Sequence, residues 1–121
     1  MNKSGVVIQE QHGYVVVNIY SDLHSQFLAN LKHEVLEFCK NKAIKGVVLD
    51  MSGINIIDME DFKGIKKIVL SVKLMGFPCI LSGLSVGIVA YLVLQDCDFS
   101  GIKAVRNLDQ AMNYLNKKYV Q

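Results

Sequence analysis

The chain has 121 residues, the size of one domain, and 51% of them are hydrophobic. Such a share is enough for a core that needs neither disulfides nor a metal. The formal net charge is only +2 and no basic block is present, which argues against a nucleic-acid partner. We therefore expect a single domain over residues 1–121.

The three cysteines and the start of the chain indicate the cellular compartment of the protein. Cys39, Cys79 and Cys97 lie among apolar residues without a CxxC spacing. An odd number without metal-ligand spacing is typical of reduced thiols buried in a core. The N-terminus has no positive segment followed by an apolar stretch, so no secretory signal is expected. Both features predict a cytoplasmic protein.

The first predicted elements are a β-hairpin and a helix. Two β-branched runs, residues 6–9 and 14–19, are separated by a short polar stretch that ends in Gly13, as in a hairpin. After a polar segment that offers several helix caps, apolar residues recur at helical spacing until about Asn41. The apolar positions of this first helix are Leu28, Leu31, Val35, Phe38 and Cys39.

A buried strand and a second helix come next. Residues 46–50 are apolar or β-branched without alternation, as expected of a strand covered on both faces. Asp58 suits a helix N-cap, and acidic residues in the following turn favour the positive end of the helix dipole. Gly76 suits a left-handed C-terminal cap. The inward positions of this helix are expected to be Phe62, Ile65, Val69 and Val72.

In the last third of the chain, predicted strands and helices continue to alternate. A fourth strand is expected at residues 77–81, and Ser85 should cap a third helix that is apolar on nearly every side and must be buried or face a partner. A short edge strand at residues 101–105 precedes a capping-box pattern, Asn107 with Gln110. The order β-β-α-β-α-β-α-β-α predicts an α/β fold: a mixed, mostly parallel sheet of about five strands with four helices.

Residues 74–95 carry no charged side chain, which is about the length of a membrane span. Gly76 and Pro78 interrupt this segment, and residues 82–85 have the composition of a turn. We therefore expect two short elements here and no membrane span.

No sequence motif indicates catalysis or metal binding. His12, His24 and His33 share no partner pattern and are expected to be solvated or to cap helices. Asp50 ends a strand as the phosphoacceptor of a response-regulator receiver does, but the acidic pair and late lysine of receivers are missing. We expect it to accept backbone N–H bonds in the turn that it begins. A catalytic pair of Asp50 with Asp58 lacks an accompanying His, Lys or metal set.

Four motifs occur in a specific order. They are VVLDMSGINIID at residues 47–58, KLMG at 73–76, SG at 82–83 and NLDQA at 107–111. This order, with a helix after the first motif and an apolar helix after the third, resembles the STAS domain of anti-sigma factor antagonists from about Tyr14 to Leu115. Within that family, the chain is most similar to the single-domain scaffold proteins of the bacterial stressosome.

The resemblance implies a non-enzymatic binding protein without cofactor or metal. In STAS antagonists a partner kinase phosphorylates the serine directly after the aspartate at the junction between the loop and the second helix, which corresponds to Asp58 here. The phosphate adds about two negative charges at a helix N-terminus, and these change what binds there. Here that position is Met59, which cannot be phosphorylated. The implied partner-binding residues are Asp58, Met59, Glu60, Asp61 and Lys63.

The implied partners are sister STAS-domain scaffold proteins (RsbR-like) and a serine kinase or switch protein (RsbT-like) or an anti-sigma factor. They would form a large homo- or hetero-oligomer, with the third helix contacting sister domains. The alternative function is a STAS-like module that binds a small ligand or regulates a transporter. In that case the uncharged segment 74–95 would cover a membrane partner or a lipophilic molecule.

The missing serine leaves three hypotheses. The protein is an unswitched scaffold, or the switch has moved to Ser52, Ser82 or Ser85, or Glu60 with Asp61 supplies permanent negative charge. We favour the first, because the two carboxylates already serve the helix start and do not reproduce the geometry of a phosphate.

Overall fold

The computed structural model describes residues 2–3 and 5–119, and a six-stranded sheet runs through them. The spatial order of the strands equals their order in the chain. The strands are β1 (Asn2–Lys3), β2 (Val6–Gln11), β3 (Tyr14–Ile19), β4 (Gly46–Asp50), β5 (Cys79–Ser82) and β6 (Ala104–Val105). Strands β1 to β3 pair antiparallel and β3 to β6 pair parallel, which confirms the predicted mixed sheet and adds the two-residue β1.

Four helices connect or follow these strands in the described part of the chain. They are α1 (Ser25–Cys39), α2 (Met59–Leu74), α3 (Val86–Leu94) and α4 (Leu108–Tyr119). Helices α1, α2 and α3 pack on one face of the sheet and bury most of the core. Helix α4 covers the other face, where Ala111 and Leu115 contact Tyr14, Val48 and Ile80. Parallel neighbours need such helical crossovers, so this layering follows from the strand order.

Local chemistry explains the turns and helix ends that were predicted. His12 and Gly13 have φ angles of 55° and 88°, as a tight hairpin turn requires. His24 caps α1, since its Nδ1 accepts the Phe27 N–H at 3.2 Å. All four predicted inward positions of α2 are fully buried. Gly76, with φ of 98°, occupies the left-handed position beyond that helix.

Three boundaries differ from the prediction, one through long-range strand pairing and two through local turns. Helix α1 ends at Cys39, and Asn41 turns the chain with φ of 62°. Strand β5 starts later than predicted and includes Ser82, which pairs with Asp50 of β4. Strand β6 is shorter than predicted because the Ile102 N–H donates to the Phe99 carbonyl in a turn at 3.0 Å.

The uncharged segment 74–95 is divided between the last residue of α2, strand β5 and α3. Among the residues described, no helix is both long enough and apolar enough to cross a membrane. The segment therefore forms the two short elements that were expected.

A carboxylate joins three strands to the loop after β4. The register places Asn18, Asp50 and Ser82 side by side on β3, β4 and β5. Asp50 Oδ2 accepts from Asn18 Nδ2 at 2.9 Å and from Ser52 Oγ at 2.9 Å, while Asp50 Oδ1 accepts from Ser82 Oγ at 3.0 Å. We call these four residues the Asp50 network.

The Asp50 network extends the predicted role of Asp50. The Ser52 backbone N–H donates to Asp50 Oδ1 at 3.4 Å, as predicted, although this hydrogen bond is long. Side-chain donors from two other strands and the loop are therefore the main partners of this carboxylate. Sequence reasoning missed them because they come together only through the register of the sheet.

The loops after β4 and β5 also approach each other closely. The Met51 N–H donates to the Ser82 carbonyl at 2.7 Å. Gly83 has φ of 81°, and a Cβ there would lie 2.8 Å from the Ser52 backbone nitrogen. Only glycine fits this position, so the start of α3 is held against the loop that leads to α2.

The cysteines differ in burial and acidity. Cys39 and Cys79 are buried, as predicted, whereas Cys97 is half-buried. Burial raises the pKa of the Cys39 thiol. Burial, together with the nearby Cys39, raises the pKa of Cys79 to about 12. Because the thiolate is the reactive form, both buried thiols should be inert in the folded protein.

Removing the Asp50 carboxylate should destabilise the fold strongly. Asp50→Ala leaves the fully buried Ser82 hydroxyl without its acceptor, and we expect a loss of about 2–4 kcal/mol in the free energy of unfolding. Ser52→Ala removes one exposed donor and should cost only about 0.5–1.5 kcal/mol. Urea denaturation measures both. Equal losses of unfolding free energy in the two variants would show that the Asp50 carboxylate does not hold the network together.

Thiol labelling tests the packing at the two core cysteines. In native protein at pH 8, Ellman's reagent should react first with Cys97, and with Cys39 and Cys79 only after unfolding in urea. Cys97→Ala should abolish the fast phase. Rapid reaction of Cys79 in the native protein would show that the β5 side of the core is open.

Candidate functional site

The loop between β4 and α2 is fixed by a buried side chain at every third residue. Met51, Ile54 and Ile57 are buried in the core, and the Ile54 N–H donates to the Met51 carbonyl at 3.0 Å. Gly53 lies against Tyr20. A Cβ atom added at Gly53 would lie only 3.0 Å from the Cβ of Tyr20. Ile56 points outward and is 83% exposed. The loop is therefore packed on one side and presents an apolar side chain on the other.

Asp58 begins α2 as predicted. It has extended backbone angles, and its Oδ1 accepts the Asp61 N–H at 2.8 Å, while the Phe62 N–H donates to its carbonyl at 3.0 Å. The cap oxygen satisfies one of the free N–H groups of the first turn. The rest of the Asp58 carboxylate lies at the surface, where its charge can meet a partner.

The next two residues give the junction its apolar and acidic parts. Met59 is half-buried and packs against the core, so its side chain is only partly available at the surface. Glu60 is exposed and pairs with Lys63 at 3.2 Å one turn later. An exposed pair of this kind contributes little to stability, and Lys63 can exchange its partner readily.

Asp61 differs from its acidic neighbours. Its side chain is half-buried, and burial raises the pKa of its carboxyl, with repulsion from Asp58 as the next cause. The hydrogen bond from its N–H to Asp58 ties it to the cap. Asp61 therefore supports the helix start, while Asp58 and Glu60 supply the accessible negative charge.

A cleft of about 350 Å³ separates the junction from α3. One wall is formed by residues 55–58, and the other by Ser85, Gly87, Ile88 and Tyr91. Sequence reasoning placed Asp58 correctly but missed Ile56 and Tyr91 as its neighbours. The run Ile54-Asn55-Ile56-Ile57 does not show which isoleucine faces outward, and the contribution of α3 depends on the tertiary packing.

The three serines considered as substitute switch sites lie in different environments. Ser82 is fully buried and donates to Asp50. Ser52 is exposed, but its hydroxyl belongs to the Asp50 network. Ser85 is exposed and caps α3, since its Oγ accepts the Ile88 N–H at 3.2 Å. Of the three, only Ser85 shares the cleft with Asp58.

The geometry suits the binding of another protein better than the binding of a metal. Within residues 2–3 and 5–119, no group of three or more His, Cys, Asp or Glu side chains is placed to hold a metal ion. Asp50 is fully engaged by its donors, and Asp58 caps a helix. The accessible features are two carboxylates, one lysine and an apolar cleft.

Comparisons with known proteins are consistent with this architecture. A family model described as the STAS domain matches residues 5–111. The RsbT co-antagonist protein RsbRB of Bacillus subtilis (strain 168) is 26% identical over 111 residues, which cover 92% of this chain and 40% of RsbRB. The chain thus spans less than half the length of that relative.

Two solved structures are similar over nearly their whole chains. A Ser-to-Glu variant of RsbS from Moorella thermoacetica has a TM-score of 0.78 and 27% identity, covering 93% of this chain and 95% of that one. A chain from the molecular architecture of the stressosome, described as a signal integration and transduction hub, has a TM-score of 0.79 and 27% identity, covering 92% and 96%. The chain belongs to the STAS domain family of anti-sigma factor antagonists and is similar within it to RsbS.

Proposed function

We propose that this STAS domain, comprising residues 1–121, is a non-enzymatic scaffold of a bacterial stress-signalling complex of the stressosome type. The likeness to RsbS over almost the full length of both chains supports this proposal. The description of RsbRB as an RsbT co-antagonist supports partners of two kinds. These are sister STAS proteins (RsbR-like) and a serine kinase or switch protein (RsbT-like) or an anti-sigma factor.

The observation that carries the proposal is the exposed first turn of α2. Asp58 and Glu60 place two carboxylates around the half-buried Met59 on a loop whose other side is packed into the core. A fixed acidic rim around an apolar centre is the arrangement of a protein-binding surface. We assign the capture of the kinase or anti-sigma factor to Asp58, Met59, Glu60, Asp61 and Lys63.

We further propose that this surface is not switched by phosphorylation. Met59 is the first residue of α2 and has no hydroxyl. By its resemblance to STAS antagonists, we assign it to the position of their phosphorylated serine. Ser82 is buried, and the hydroxyls of Ser52 and Ser85 already make hydrogen bonds that hold the loop and cap α3. The negative charge at the junction is therefore permanent.

Substitutions at the junction test the docking surface. Met59→Asp should weaken binding of the cognate RsbT-like kinase by at least about tenfold, because it places an unpaired charge in the contact. Asp58→Asn keeps an oxygen that caps α2 but removes the charge, so a loss of a few-fold is expected with an unchanged melting temperature. Isothermal titration with the purified kinase measures both.

Leu74→Asp is the matched control for these variants. Leu74 is 88% exposed at the far end of the same helix, so its replacement should leave kinase binding unchanged. If Met59→Asp and Asp58→Asn both bind the kinase like the unmodified chain while remaining folded, the junction is not the docking surface.

Phosphorylation is tested separately by intact mass. After incubation with the cognate kinase and ATP, the mass of the protein should remain unchanged, because Met59, which we assign to the phosphoacceptor position, has no hydroxyl. A stoichiometric phosphoryl adduct would contradict the unswitched scaffold. Its location at Ser52 or Ser85 would then identify the substitute site.

A further inference from the structure

The outer face of α3 is apolar and exposed. Val86, Ala90, Val93 and Leu94 recur at helical spacing on the side opposite the buried Ile88 and Leu92. Val86 is 84% exposed and Leu94 is 79% exposed. The helix has no charged residue. We call these four exposed residues the α3 stripe, and a contiguous apolar face of this kind marks an interaction site.

A groove continues the α3 stripe towards the edge of the sheet. It has a volume of about 590 Å³ and is lined by Leu84, Val86 and Val89 on one side and by Ala104, Val105 and Arg106 on the other. Strand β6 is the edge strand next to this groove. The groove lies beside the first turn of α3, so it can receive an apolar side chain that packs on Val86.

Opposite charges stand at the two ends of the α3 stripe. Arg106 lines the groove beside the first turn of α3, and Asp96 is exposed two residues after the helix ends. Among residues 5–117, neither side chain has an ion-pair partner. A stripe with a cation at its start and an anion at its end is complementary to a second copy of itself in the reverse direction.

We propose that α3 binds α3 of a second copy in an antiparallel arrangement, with a twofold axis near Ala90. A nine-residue helix is about 13–14 Å long, so reversing one helix places the partner's Leu94 at Val86 and its groove. The partner's Asp96, just beyond, then meets Arg106. Twofold symmetry makes every contact twice. The small side chain of Ala90 at the centre allows the two helices to approach closely.

This inference rests on the proposed function only in that it names one contact through which such a scaffold assembles. It uses α3 and β6, whereas kinase capture is assigned to the first turn of α2. The purified chain without any kinase is therefore sufficient for the test.

Sedimentation velocity over a concentration series is the direct experiment. The full chain should form a dimer reversibly, and Leu94→Asp should raise the dissociation constant by at least about tenfold. Leu74→Asp adds the same charge at another highly exposed leucine and should leave the constant unchanged. If Leu94→Asp does not fold, Val93→Asp, at another exposed position of the α3 stripe, replaces it.

A double-mutant cycle tests the antiparallel direction. Asp96→Asn tolerates the positive φ of 58° at this position, and Arg106→Gln keeps the backbone N–H that donates to Gln110. Each change should raise the dissociation constant about threefold to tenfold, since each removes two symmetric pairs. The double variant should be no weaker than either single variant.

Three results would overturn the proposal. They are a monomer at every concentration, equal dissociation constants for Leu94→Asp and Leu74→Asp, or additive effects of Asp96→Asn and Arg106→Gln. Unchanged kinase binding by folded Leu94→Asp protein is expected in every case. Failure of dimerisation is therefore distinguishable from failure of the docking surface.

Discussion

The Asp50 carboxylate is the constraint on which the presentation of the functional surface depends. A charged group between strands must be matched by hydrogen-bond donors, and here they come from β3, β5 and the loop after β4. These bonds fix where the loop leaves the sheet. The close approach at Gly83 then holds the start of α3 against the same loop. Two helix N-termini consequently face one cleft in a defined geometry.

This constraint gives the domain two surfaces with different chemistry. The first turn of α2 carries accessible carboxylates on a packed loop, which suits selective recognition of a cationic partner surface. The α3 stripe carries no charge and suits burial against another apolar face. Because the two surfaces lie on separate helices, the proposed scaffold would be able to bind a signalling partner while it is part of a larger assembly.

Much of the fold was predictable where local chemistry decides it. The β-branched runs Tyr14–Ile19 and Gly46–Asp50 predict strands, and the acidic turn after Asp58 predicts that this residue caps α2. The limits of β5 and β6 were not predictable, because Ser82 joins its strand only through pairing with Asp50 and Val105. The same holds for the site. Asp58 follows from capping rules, whereas Asn18 and Tyr91 reach their places through sheet register and helix packing.

The central claim is that the junction at Met59 binds its partner in one permanent charge state. The most direct measurement is the affinity of this protein for its cognate kinase before and after the two have been incubated with ATP. If the affinity is the same in both cases, the junction binds without a phosphate switch, as this account predicts. If it falls after incubation and recovers on treatment with a phosphatase, the protein carries a switch elsewhere and the account is wrong.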